Sequence, residues 1–246
     1  MRFYGLTDVG IKRENNEDSI SIPTENDGIK LFILADGMGG AKAGETASQL
    51  AIKTIRDYIR LNFIKIERTK EEIEELIRKS LVEANKKIYE SAIDNEEYAG
   101  MGTTVVVVLI YRGRLYIGHV GDSRVYRLRQ SVFRQLTKDH SYVQELLRQG
   151  SITIEEAKNH PQKNALLKAL GCDRDIVPDV ITKGFVKGDI ILMCSDGLTN
   201  MVQDKEIYEI IMKNTLDLGV ACKKLIDTAN DNGGVDNVSA IIISSN

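Results

Sequence analysis

The sequence predicts an α+β fold built on antiparallel β-sheets. Three observations carry that reading. Apolar runs of strand length occur in blocks at the start, middle and end of the chain, the turns between neighbouring strands are too short for a parallel crossover, and paired amphipathic helices separate the blocks. The 246 residues contain no linker, repeat or low-complexity stretch, which is the pattern of a single domain spanning 1–246.

The chain opens with three strand-like segments, RFYGLTDVG, DSISIP and IKLFILADG, the last two separated by an ENDG turn at 25–28. Ala47, Leu50, Ala51, Thr54, Ile55, Tyr58 and Ile59 then recur at helical spacing. A second helix starts at Thr69, with Glu72 three residues on completing a capping box. Its apolar stripe runs through Ile73, Leu76, Ile77, Leu81, Ala84 and Ile88. The middle of the chain returns to strands: GTTVVVVLI, a tight YRGR turn at 111–114, RLYIGHVG, SRVYRLR and VFRQLT, which together have the spacing of a meander. Residues 139–168 are polar and mixed, with short helices expected at about 142–148 and 154–157. The strand DIILMCSDG, helices over about 205–212 and 216–229, and the strand NVSAIIISS complete the chain.

Composition narrows the function classes. A net charge of −3 without a basic patch gives no footprint for nucleic acid. The longest apolar run, 103–110, is strand-sized and far short of the roughly eighteen residues a membrane span needs. The opening MRFYGLTDVGIKRENNED turns acidic too early for a secretory signal, so residence in the cytoplasm is expected. Cys172, Cys194 and Cys222 are too few and scattered for a disulfide framework, and two fall in apolar segments, as buried reduced thiols do.

Acidic residues at strand ends are the chemical signal. Asp36 closes LFILAD, Asp196 closes IILMCSD, Asp122 follows YIGHVG, Asp236 precedes NVSAIII, and Glu17 and Asp18 open the second strand. Ionised carboxylates at the edge of a buried sheet cost several kcal/mol each unless neutralised. Few basic residues stand beside these positions apart from Arg13 and Arg124, and divalent cations would supply the charge. Hard cations such as Mg²⁺ and Mn²⁺ select oxygen donors, whereas His119, His140 and His160 lie too far apart for a zinc-like motif. Gly37, Gly39, Gly40, Gly121 and Gly197 beside the acids permit tight turns. A single Asp-Gly after a strand is usually only a turn; the series is what points to a metal site.

The segments TDVGIKRENNEDS, LFILADGMGGAKAGETAS, GTTVVVVLI, LYIGHVGDSRVYRLR, LTKDHSYVQELLRQGSIT, NALLKALG, GDIILMCSDGLTNMV and DNVSAIII span nearly the whole chain. In wording and order they resemble the metal-dependent (type 2C) protein phosphatases of the PPM family, particularly the compact bacterial members. The resemblance implies a four-layer αββα sandwich, with two antiparallel sheets flanked by helix pairs and a small mobile flap over about 139–168. It implies hydrolysis of phosphoserine and phosphothreonine by a water activated between two Mn²⁺ or Mg²⁺ ions, with a weaker third ion. Asp36 is expected to bridge the central pair, with the Gly37 carbonyl as a further ligand. Asp196 and Asp236 are expected to complete the first ion, Glu17 to reach the second largely through water with Asp18 beside it, and Asp122 to share the third with Asp196. Arg13 is expected to grip the phosphate, and Asn237 to hydrogen-bond from outside the ligand set.

Family members often carry a histidine after the DG or DGMGG motif as a proton donor; Met38 and Ala41 stand at those positions, so that role does not transfer. The expected partners are phosphorylated proteins and an opposing serine/threonine kinase, and the expected state is a monomer. Two other functions suit the same fold: a pseudophosphatase binding module, which retention of Asp36, Asp196 and Asp236 disfavours, and a regulatory phosphatase of a sigma-factor switch, which usually carries an attached sensor domain.

Overall fold

Strand pairing in the computed structural model, which describes residues 1–24, 27–39 and 42–246, divides between two antiparallel sheets. In chain order, β1 (Arg2–Asp8), β2 (Asp18–Ser21) and β3 (Lys30–Met38) lead into the long helices α1 (Ala43–Phe63) and α2 (Lys70–Asp94). Then come β4 (Gly102–Thr103), β5 (Val105–Tyr111), β6 (Arg114–Val120), β7 (Arg124–Arg129) and β8 (Val132–Gln135). The short helices α3 (Tyr142–Arg148) and α4 (Ile154–Lys158) precede β9 (Asp179–Gly184) and β10 (Ile190–Cys194). Last are α5 (Asp196–Thr199), α6 (Asp204–Lys213), α7 (Leu218–Asp231) and β11 (Val238–Ser244). One sheet has the order β1-β11-β10-β7-β8; the other runs β2-β3-β5-β6-β9, with β4 added beside β3.

Strand periodicity explains the layers. Successive side chains face opposite sides of a sheet, so a strand covered on both sides must be apolar throughout. In β5, Val105, Val107 and Leu109 face α1 and α2, while Val106 and Val108 face the other sheet. In β11, Ala240 and Ile242 pack toward the α7 side, and Ile241 and Ile243 join the layer between the sheets. Three apolar layers result, one under α1 and α2, one between the sheets and one under α5, α6 and α7, giving the expected four-layer order. The Thr69–Glu72 capping box is formed at the start of α2, and Arg112 and Gly113 take positive φ in the expected tight turn. The ENDG turn lies partly outside the described residues, as does Ala41.

The structure corrects the expected meander. Strands β5 and β6 form a hairpin, but β6 next pairs with β9, and the chain crosses at Gly121, Asp122 and Ser123 to begin β7 in the opposite sheet. A short connection is compatible with either a hairpin or a sheet-to-sheet crossing, which spacing alone cannot separate. The GTTVVVV run is also broken at Thr104, whose N–H donates to the Asp36 carbonyl at 2.8 Å. Asp36 therefore lies within β3 rather than at its end, because β4 prolongs the pairing to Met38. Strand β9 escapes sequence reading because it is a half-exposed edge without clean alternation. Among the described residues, no helix is long and apolar enough to cross a membrane.

Candidate metal centre

The layer between the sheets turns from apolar to polar at one end. Asp36 continues the inward face of β3 after Phe32 and Leu34, and Asp18 continues that of β2 beyond Ile20. On the opposite sheet, Ser195 extends the face of Ile191 and Met193, while Ser239 extends that of Ile241 and Ile243. Asp196 then follows β10, Asp236 leads into β11, and Asp122 arrives on the crossover between the sheets. With Glu17 next to Asp18, residues distant in sequence thereby place six carboxylates around one end of the sandwich.

Their electrostatics show how closely they gather. Burial, reinforced by Asp18, Asp196, Asp122 and Asp236, holds the Asp36 carboxyl well above the usual carboxylate range. Burial pushes Asp18 up to about 7, against hydrogen bonds from Ser239 and Ser195 and with help from Asp196 and Asp236. Asp122 is pushed up to about 7 by burial, Asp196 and Asp139. Asp196 is raised by burial and Asp236, although a hydrogen bond shared with Asp36 and another from Asn200 oppose the shift. Glu17 is raised by burial, opposed by Arg13, then raised further by Asp236 and Glu45.

Buried carboxylates that raise one another in this way, with Arg13 at the rim as the neighbouring cation, suit metal ions. Asp18 makes the case atom by atom. Its Oδ2 accepts the Ser195 hydroxyl at 2.8 Å, and Ser195 Oγ in turn accepts the Ser239 N–H at 3.0 Å. Asp18 Oδ1 is buried without a hydrogen-bond partner. An orphaned carboxylate oxygen in a group already raised by Asp196 and Asp236 is costly as it stands, and fits a cation or an ion's water. The donor set is all oxygen, as Mg²⁺ and Mn²⁺ require.

The surrounding backbone has little freedom. A Cβ on Gly37 would stand 2.1 Å from the Gly44 carbonyl and 2.7 Å from that of Glu17, so only glycine lets β3 pass the first turn of α1 here. A Cβ on Gly44 would meet the Glu17 carboxylate at 2.7 Å, fixing where that carboxylate rests. Asn237 ties the 9–17 loop to the start of β11: its Oδ1 accepts the Glu17 N–H at 2.8 Å, and its Nδ2 donates to the carbonyls of Val9 and Asn15 at 2.8 and 2.9 Å. The 10–16 loop is further fixed by Ile11 and Lys12 donating to the Gly234 carbonyl. That loop presents Arg13, whose Nη2 donates to Asp236 at 2.9 Å and leaves the half-exposed guanidinium at the rim of the acids.

All the sequence-predicted acids and Arg13 reach this region. Ser195 and Ser239 were not foreseen; the signal available was a small hydroxyl two residues beyond inward-facing core positions. Nor did sequence spacing reveal that His119 and His140 meet. Their rings stack with centroids 4.6 Å apart, His119 bonds the Lys138 carbonyl at 2.9 Å, and His140 Nε2 lies 3.5 Å from Asp179. Among the described residues His119, His140 and Asp179 bring donor atoms within 4.8 Å of one another. Near-parallel rings aim their in-plane lone pairs side by side rather than at one point, and His140 Nδ1 already accepts the Gly121 N–H. This group is a bolt: His140 bonds Gly121 from both its backbone and its ring, fixing the loop that carries Asp122. Arg124 adds a second bolt through two hydrogen-bonding nitrogens to Asp139.

Comparison with known proteins identifies the family. A family model described as Protein phosphatase 2C matches residues 11–225. The serine/threonine phosphatase stp of Listeria monocytogenes is 42% identical over 96% of this chain and 93% of its own length. The solved S. agalactiae serine/threonine phosphatase superposes with a TM-score of 0.89 at 38% identity, covering 99% of each chain. The catalytic domain of the phosphatase PstP, solved in complex with two manganese ions, gives a TM-score of 0.84 at 33% identity over 98% of this chain and 96% of that one. The chain belongs to the protein phosphatase 2C family. By class it is a metal-dependent protein phosphatase.

Proposed function

We propose that this chain hydrolyses phosphoserine and phosphothreonine in proteins at a pair of Mn²⁺ or Mg²⁺ ions held by the strand-end acids. The observation that carries the reading is the convergence of Asp18, Asp36, Asp122, Asp196 and Asp236, each close enough to perturb others, around an oxygen-only donor set. Asp36, Asp196 and Asp236 would hold the first ion. Asp36, the Gly37 carbonyl and Glu17 would hold the second, with Asp18 behind them, and Asp122 with Asp196 a weaker third. When bound, the cations supply an acidified water for in-line attack on phosphorus and neutralise the phosphoryl oxygens.

The chain's own residues do the rest. Arg13 presents a planar fork that can hold two phosphate oxygens, and its bond to Asp236 aims that fork at the centre. Ser195 donates to Asp18 Oδ2 and so favours the ionised carboxylate, leaving Oδ1 as an acceptor toward the cluster. Asn237 keeps Glu17 and the Arg13 loop in fixed relation. No phosphoenzyme is required by this chemistry. The core thiols of Cys194 and Cys222 are pushed up to about 12 by burial.

In the cell we place the enzyme as a cytoplasmic monomer opposing a serine/threonine kinase, with residues 139–168 acting as a flap. Phosphate release from a phosphothreonine peptide in Mn²⁺, absent in Asp36→Asn, tests the reading; release by Asp36→Asn at the natural rate would refute it.

A further inference from the structure

Beside the acids lies a groove of about 660 Å³ between the 139–168 segment and the start of α6, and Asp122 and Asp196 also line it. That volume falls within the roughly 300–1,000 Å³ that takes drug-sized ligands, more than one phosphorylated side chain fills. Its accessible apolar part is formed by Val143, Leu147 and Ile154 beside the buried Val202, and Ile154 stands 72% exposed. A solitary exposed isoleucine is ordinary; one set in a groove that opens on the reactive centre is a contact surface.

Charge defines the occupant more closely. Arg124 is neutralised by Asp139, and Asp204 accepts the Tyr126 hydroxyl at 3.1 Å. Lys163 and Lys205 are exposed, line the same groove, and form no ion pair among the described residues. With Asp122 and Asp196 committed to cations and Arg124 paired with Asp139, Lys163 and Lys205 stand against Asp204 alone, which leaves one positive charge in surplus beside an apolar floor.

We propose that this groove receives the polypeptide flanking the phosphorylated residue and selects substrates with an apolar side chain for Val143, Leu147 and Ile154 and a carboxylate for Lys163 and Lys205. The proposal rests on the phosphatase reading, and groove and reaction centre are continuous through Asp122 and Asp196. Lys163 and Lys205 act in specificity and touch no reacting atom.

The test compares kcat/KM in Mn²⁺ for two phosphothreonine peptides, one with leucine and glutamate beside the phosphoresidue, the other with serine and lysine there, and for p-nitrophenyl phosphate as a substrate too small to enter the groove. The natural protein should favour the acidic-apolar peptide about tenfold, the scale of one charge-assisted contact. The double variant Lys163→Glu/Lys205→Glu should reverse that ratio, Lys163→Gln/Lys205→Gln should bring it near one, and Ile154→Ser should lower the preference for leucine. Both peptides turned over within twofold of each other by the natural protein would overturn the proposal. So would a preference that survives charge reversal. Hydrolysis of none of the three substrates by the natural protein would instead sink the phosphatase reading beneath it, a result distinct from turnover without selectivity.

Discussion

Asp18 and Asp36 stand directly opposite each other on neighbouring antiparallel strands, both facing the space between the two sheets. Like charges in that relation are destabilising, and here the pair is also shielded from water. The sheet tolerates them by holding protons or by holding cations. The first prediction follows. Without metal, Asp18 and Asp122 titrate near 7 and Asp36 is raised as well, all above the 3.8 of a free aspartate. A folded-state pKa above the unfolded one contributes stability below about pH 4 that is lost as pH rises through about 7. The metal-free protein should therefore melt at progressively lower temperature from pH 5 to pH 8, and Mn²⁺ should raise the melting temperature most at pH 8. Thermal melts at four pH values, with and without Mn²⁺, read this directly; a metal-free form most stable at pH 8 would contradict it.

The acids are not equivalent. On the proposed assignment, Asp36→Asn or Asp236→Asn removes a ligand of the central pair and should abolish turnover. Asp122, on the bolted crossover loop, should matter less: Asp122→Ala should keep the central ions and lower turnover by weakening the third. Calorimetric Mn²⁺ titrations of each variant separate the two cases, and loss of all binding in Asp122→Ala would show the assignment to be wrong.

Arg13 is held at the rim by Asp236 rather than buried in a structural ion pair. Arg13→Ala should lower kcat/KM by about 1.5–3 kcal/mol, roughly ten- to a hundredfold, as a lost charge-assisted hydrogen bond does. Arg13→Lys should recover only part, because a point charge cannot reproduce the fork. Unchanged kcat/KM in Arg13→Ala would make it a surface cation.

Asn237 satisfies one N–H and two carbonyls of the 9–17 loop. Asn237→Ala should destabilise the fold by about 2–4 kcal/mol through unpaired polar groups, measured by urea unfolding. Turnover should fall with it, since Glu17 and Arg13 lose their common anchor. Destabilisation within 0.5 kcal/mol, the range of an ordinary surface change, would contradict that account.

Met38 ends β3 beside Gly102, and His140 is held by Gly121 through both its backbone and its ring, so neither position offers a free imidazole to protonate a leaving alkoxide. Alkyl leaving groups gain roughly 10²–10⁴-fold from general acids when one is present. The enzyme should therefore depend steeply on leaving-group pKa across a series of aryl phosphates. A shallow dependence would reveal a donor elsewhere.

Much of this was legible before the structure. The capping box at Thr69, the α1 stripe and the buried strands were written in period and punctuation, and the acids stood out because carboxylates ending apolar strands are anomalous. What was not legible depends on which sheet a strand joins. The short link at 121–123 suits a hairpin as well as a crossing, so the meeting of Asp122 with Asp196 and of His119 with His140 could not be read from spacing. Ser195 and Ser239 were within reach, since each lies two residues beyond an inward-facing core position. Two-residue parity becomes informative only once the neighbouring sheet is known to cover that face.

The most direct test of the central claim is chelation. The protein is dialysed against excess chelator, assayed on a phosphothreonine peptide, then reassayed as Mn²⁺ is titrated back with calorimetry on the same sample. Phosphate release should vanish in chelator and return as two ions bind per chain, with Mg²⁺ substituting. Full activity in excess chelator, with no calorimetric binding of Mn²⁺, would show that the acid cluster holds no catalytic metal.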